Sequence, residues 1–196
     1  MRGYKLIELN QLLTILFLAL LPSAAPAAEL EGIKLPDSAQ VGDGAALVLN
    51  GAGLRTRFLF RVYVGALYLQ KKNSIASAII DDAGAKRIAL YMLRELSAAQ
   101  FVSALEDGLK NNHDAGELAR LDAPVRQLRA IFDAVQTAKA GDVILIDYLP
   151  GSGTSITVNG VVKGTIAGGE FNRALLRIWL GGNPADQDLK KGMLGG

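Results

Sequence analysis

The stretch Leu49–Leu69, LNGAGLRTRFLFRVYVGALYL, constrains the fold more than any other part of the chain. It opens on a glycine-spaced segment, Asn50-Gly51-Ala52-Gly53. Arg55, Arg57 and Arg61 follow, set in a run of β-branched, aromatic and aliphatic residues. Such a run predicts one long strand, whose period of two sorts the side chains. Phe58, Phe60, Val62, Val64, Ala66 and Tyr68 then fall on one face, an ordinary core face. Arg57, Leu59, Arg61, Tyr63, Leu67 and Leu69 fall on the other. That face sets two arginines beside a tyrosine in the middle of an apolar strand. A guanidinium is costly to bury unless an anion or a strongly polar group meets it. Either these arginines reach solvent along their stems or pair with structural carboxylates, or they line a pocket for an anion.

The N-terminal segment reads as an export signal. Arg2 and Lys5 supply a basic start, and Leu12–Leu21 an apolar core too short to span a bilayer comfortably. Ala25-Pro26-Ala27 fits the small-x-small cleavage rule, so a cut after Ala27 is expected, with an uncleaved membrane anchor as the alternative. No cysteine follows to carry a lipid. The chain then divides into a signal peptide, 1–27, and one domain, 28–196, long enough to bury a core. This places the mature protein in the periplasm or outside the cell. No later apolar stretch is long enough to cross a membrane, so stable insertion after cleavage is not expected. The absence of cysteine removes disulfides and thiol chemistry. Losing Arg2, Lys5 and Glu8 takes the formal charge from +2 to +1. A nearly neutral protein lacks the basic surface that nucleic acid requires.

The rest of the chain alternates strands and helices. Leu30–Asp43 predicts an edge hairpin with Ile33, Leu35 and Val41 inward, and Ala45–Leu54 a strand leading into the long one. Ser74–Ile80 reads as a short helix and Lys86–Leu93 as a strand. Ser97 and Gln100 form a capping-box pattern before a helix whose buried face carries Phe101, Leu105 and Leu109. Asp122 is expected to cap the next helix, with Pro124 in its first turn. Val143–Ile146 reads as a central strand. Thr154–Val158 and Val161–Ile166 flank Asn159-Gly160, a strong hairpin signal because both turn positions need positive φ. Phe171, Ala174, Leu175, Ile178 and Trp179 mark the last long helix, and a short helix around Ala185–Leu189 closes the chain. This order predicts one α+β domain with a mainly antiparallel sheet.

Several familiar sites cannot be built. His113 is the sole histidine and sits in a polar Asn-Asn-His-Asp turn, so it reads as a solvated turn residue rather than a catalytic base. Metal clusters of cysteine and histidine are excluded, and no metal or other cofactor is called for. Gly151-Ser152-Gly153 and Gly168-Gly169 lack the lysine of a phosphate loop and read as turns.

Leu49–Arg55, followed by a hydrophobic strand ending Ala66-Leu67-Tyr68-Leu69, resembles the chalcone isomerase family, and the exported bacterial chalcone isomerase-like proteins most. Leu96–Leu105, Gly141–Val158, and Phe171–Gly181 with the tail Leu189-Lys190-Lys191-Gly192 resemble later family segments in the same order. The resemblance covers residues 30–196. It implies an open-faced β-sandwich, with a ligand cleft between a large sheet and a layer of helices.

The family's enzymes close a flavanone ring by attack of a phenolate on an enone, with an arginine holding the anionic oxygen. The resemblance places Arg55 in that role, which suits a permanently charged, forked donor in a dry cleft. It also implies departures. Tyr63 stands where the enzymes have a threonine, Phe101 where they have a tyrosine, and Gly108 near their asparagine. Phe101 cannot donate a hydrogen bond, so the anion holder is kept while the groups that polarise the ketone are largely missing.

Three functions compete. One is a non-catalytic binder of a small apolar anion, a fatty acid or phenolic compound, as in the family's fatty-acid-binding branch. Arg55 and Tyr63 would meet the carboxylate, with Arg61 or Tyr91 nearby and Phe101 in the cleft. The second is an isomerase, an intramolecular lyase acting on a chalcone-like enone with Arg55 on the oxyanion. The third is an envelope protein whose cleft is vestigial.

Overall fold

The structure is a computed structural model that describes residues 28–42 and 44–196. The expected signal peptide and Asp43 lie outside the described residues. The chain begins with β1 (Ala28–Leu30) and β2 (Ile33–Leu35), which pair as a small separate hairpin. The strands β3 (Ser38–Val41), β4 (Ala45–Arg57) and β5 (Phe60–Leu69) follow, then α1 (Ala76–Asp81) and β6 (Lys86–Met92). A two-residue strand, β7 (Leu96–Ser97), leads into α2 (Ala98–Lys110) and α3 (Ala115–Val135), and β8 (Thr137–Ala138) returns to pair with β7. The meander β9 (Val143–Leu149), β10 (Gly153–Val158) and β11 (Val161–Ile166) precedes α4 (Gly169–Leu180) and α5 (Gln187–Met193).

The seven principal strands form one antiparallel sheet in the order β11-β10-β9-β6-β5-β4-β3. Both faces are covered, unequally. Tyr63, Leu67, Ile88, Leu90, Ile144 and Ile156 face the helices and join Phe101, Leu128, Phe171 and Trp179 in the larger apolar cluster. On the other face Val64, Ala66, Tyr68 and Ala89 make a smaller cluster with Leu35, Val41 and Leu47. Among the described residues, both clusters are built from residues after Ala28. The α+β class, the mainly antiparallel sheet and the helical layer expected from the sequence are all present.

Local signals place most elements. Ser97 Oγ accepts from the Gln100 N–H while the Gln100 side chain accepts from the Ser97 N–H, which completes the expected capping box. Asn159 and Gly160 have φ of 49° and 79°, as a two-residue hairpin requires.

Two readings need correction. First, Leu49–Leu69 is not one strand. It is a hairpin whose strands β4 and β5 meet at Phe58-Leu59, with Arg57 paired to Phe60. Phe58 has φ 55° at the first central position of the turn, a place that glycine ordinarily fills, so the local sequence carries no turn signal. Second, Asp122 and Pro124 lie inside α3, not at its start. The helix begins earlier because Asp114 and Glu117 form a reciprocal capping box. The glycines at 51 and 53 serve close packing. A Cβ at Gly51 would come 2.2 Å from the Gly192 carbonyl oxygen, and one at Gly53 2.8 Å from Leu189 Cα. The glycine spacing is thus the seat of α5 against β4, and Asn50 Nδ2 reinforces it by donating to the Met193 carbonyl at 2.8 Å.

Candidate ligand-binding pocket

Between the β4–β5 hairpin, α2 and the end of α4 lies a cavity of about 180 Å³. Val62, Tyr63, Phe101, Leu105, Ile178 and Trp179 form its buried floor. Arg57, Phe58, Phe60, Arg94 and Gln100, all exposed, mark its mouth, and Arg55, Leu96, Ala104 and Ala185 complete the wall. The lining includes Arg55, Arg57 and Arg94 and no carboxylate.

The hairpin is what brings Arg55 to Tyr63. In one continuous strand, residues eight apart would be separated by roughly 27 Å. Folded back at Phe58-Leu59, they become cross-strand partners on the helix-facing side. Arg55 is half-buried, and one of its guanidinium nitrogens donates to the Ala185 carbonyl. Beside it the Thr56 N–H donates to Asp186 Oδ2 at 3.0 Å, which ties the segment before α5 to β4. Among the described residues Arg55, Arg57 and Arg94 have no ion-pair partner. Asp147 and Glu170 pair with Arg87 and Arg120 instead of Arg55.

Tyr63 is 8 % exposed. The Trp179 indole N–H donates to its hydroxyl oxygen at 3.0 Å. Among the described residues the phenol's own hydrogen finds no acceptor, so it can donate into the cavity beside the Arg55 guanidinium. Burial pushes the Tyr63 pKa above the ordinary phenol value, and the opposing pull of Arg55 and of the Trp179 hydrogen bond is smaller. Tyr63 is therefore a neutral donor at physiological pH. Phe101, its ring 4.5 Å from that of Phe132 and tilted by 33° to it, contributes only apolar surface. Gly108 is absent from the lining. A Cβ there would come 2.7 Å from Ile178 Cγ2, so it keeps α2 close to α4.

Of the residues singled out from the sequence, Arg55, Tyr63 and Phe101 meet in this cavity. Arg61 and Tyr91 do not, which corrects the expectation that they lie near Arg55. Arg61 pairs with Glu31 in the β1–β2 turn. Tyr91 packs into the smaller cluster on the opposite face of the sheet. A register shift, in which Arg55 pairs with Tyr63 but Thr56 with Arg61, leaves Val62 as an extra residue and turns Arg61 out of the row that contains Tyr63. His113 is half-buried rather than solvated in its turn, with Nδ1 2.9 Å from the Leu109 carbonyl. Sequence reasoning missed Trp179 and Arg94. Trp179 sits in an apolar helical stripe like any core residue, and Arg94 follows a strand without any motif to mark it.

A family model described as chalcone isomerase-like matches residues 27–195. Among solved structures, a fatty-acid binding protein of Arabidopsis thaliana is similar, with a TM-score of 0.63 and 19% sequence identity. The match covers 83% of this chain and 92% of that one. No curated protein sequence matches the chain.

Proposed function

The chain belongs to the chalcone isomerase-like family, and from that premise we propose that it binds a small apolar anion such as a fatty acid, without transforming it. The observation that carries this reading is Arg55 beside the Tyr63 hydroxyl, whose own hydrogen has no acceptor among the described residues, on the wall of an apolar cavity lined by no carboxylate. An uncompensated guanidinium in such a setting calls for an anionic partner. Arg55 and Tyr63 would grip the carboxylate, and Val62, Phe101, Leu105 and Ile178 would hold the apolar body. The cavity is smaller than the roughly 300–1,000 Å³ of sites that enclose drug-sized ligands. A long acyl chain would therefore run out through the mouth, past Phe58 and Phe60. The likeness to a fatty-acid binding protein is consistent with the reading at the level of fold. Ring closure of a chalcone-like enone is the competing function, and the lack of a donor at Phe101 weighs against it. The N-terminal signal pattern supports export, with the ligand met in the periplasm or outside the cell.

Calorimetry on residues 28–196 with dodecanoate and with dodecanol tests the proposal. The expected result is saturable binding of the carboxylate, at least about tenfold tighter than the alcohol, since a charge-assisted hydrogen bond contributes more than a neutral one. Equal affinity for the two would show that Arg55 and Tyr63 do not grip an anion, and would end the proposal.

A further inference from the structure

The tip of the β4–β5 hairpin is unlike the rest of the surface. Phe58 is 87% exposed, Leu59 95% and Phe60 58%, three large apolar side chains in a row at a convex turn. Phe58 moreover holds a positive φ of 55°, a conformation costly for an aromatic residue. Neither feature serves the core, since none of the three belongs to either apolar cluster. Arginines ring the tip. Arg57 lies 6.0 Å from the Phe58 ring, Arg94 4.6 Å from the Phe60 ring, and Arg61 flanks the turn on the other side. Glu31 offsets Arg61, and Glu95 follows Arg94 in the chain, but Arg57 and Arg94 have no ion-pair partner among the described residues. Of these residues, Arg57, Phe58, Phe60 and Arg94 border the mouth of the cavity.

We infer that this tip is a docking element for an anionic lipid bilayer. A convex apolar point fits no groove of its own fold, but it can enter the headgroup boundary of a membrane, where Phe and Leu are favoured. Arginines beside it meet lipid phosphates at that depth. The insertion is peripheral: no helix among the described residues is long and apolar enough to cross a membrane. Docked in this way, the cavity mouth faces the bilayer surface. The inference does not depend on the ligand reading, because an assay of docking contains no fatty acid.

Sedimentation of residues 28–196 with phosphatidylcholine vesicles, with and without phosphatidylglycerol, tests it. Binding should be at least about tenfold stronger to the anionic vesicles and should weaken with added salt. The pair Phe58→Ser with Leu59→Ser should abolish at least about nine-tenths of that binding without lowering the melting temperature, because both side chains are exposed. Val161→Ser with Val162→Ser removes two exposed apolar residues from the sheet edge and should leave vesicle binding unchanged. Equal binding to neutral and anionic vesicles, or unchanged binding after the tip substitutions, would overturn the inference. So would a self-associated form in the ultracentrifuge that the tip substitutions dissociate, since the tip would then be a protein interface.

Discussion

Two arginines on the same sheet are treated in opposite ways. Arg87, on the face with the smaller cluster, is held by both carboxylate oxygens of Asp147, at 2.5 and 2.7 Å, and also donates to the Gln40 carbonyl at 3.1 Å. The Asp147 hydrogen bond raises the Arg87 pKa further, against burial. Arg55, on the helix-facing side, has a single carbonyl of Ala185 and an open cavity in front of it. Both are half-buried beside a tyrosine, Tyr68 across the strand pair for Arg87 and Tyr63 for Arg55. The contrast shows which charge the fold has neutralised for itself and which it has left for something else. An arginine with a bidentate carboxylate is part of the architecture. One with spare donors in an apolar recess is poised for a ligand.

The largest effect is expected on the architectural side. Asp147→Ala should lower stability by about 3 kcal/mol, because it leaves the Arg87 charge partly buried without its partner. Chemical denaturation reads this, and dodecanoate affinity should stay within about twofold of the original. If stability hardly changed, the two arginines would not differ as described. Next, Arg55→Gln should weaken dodecanoate binding by about 2 kcal/mol, or roughly thirtyfold by calorimetry. Its stability should fall by no more than about 1 kcal/mol, the net contribution of the Ala185 hydrogen bond. The reverse pattern, lost stability with intact affinity, would make Arg55 architectural as well.

The smallest effect sharpens the role of the tyrosine. Tyr63→Phe should cost about 1 kcal/mol of dodecanoate affinity, one neutral donor's share, and leave Trp179 without its acceptor. The raised Tyr63 pKa also fixes a pH dependence. The folded protein holds the phenol's proton more tightly than the unfolded chain does. Its contribution to stability is therefore complete below the ordinary phenol value of 10.0 and is lost as pH rises through the higher folded value. Stability scans above pH 10 should show a shallower decline for Tyr63→Phe than for the original protein. Identical declines would show that Tyr63 ionises freely and is not the buried donor described.

Elements with local signals were legible in advance. The Ser97–Gln100 capping box, the Asn159-Gly160 turn and the apolar stripe of α4 each follow from chemistry within a few residues of chain. So did the α+β class, because strand and helix periods alternate along the sequence. The presence of an arginine and a tyrosine worth watching was also legible, since a charge in an apolar run is conspicuous wherever the run folds.

What joined them was decided elsewhere. Nothing in Arg57-Phe58-Leu59-Phe60 announces a turn, and the run from Thr56 to Tyr63 reads equally well as uninterrupted strand. The reversal is fixed by partners distant in sequence: α5 seated on Gly51 and Gly53, Asp186 and Ala185 holding Thr56 and Arg55, and β6 pairing along β5. Those contacts decided that Arg55 meets Tyr63, that Arg61 turns away to Glu31, and that Trp179 reaches the phenol from α4. Residue types set the chemistry available to this chain. Their convergence is a property of long-range packing, which a period of two along one strand cannot encode.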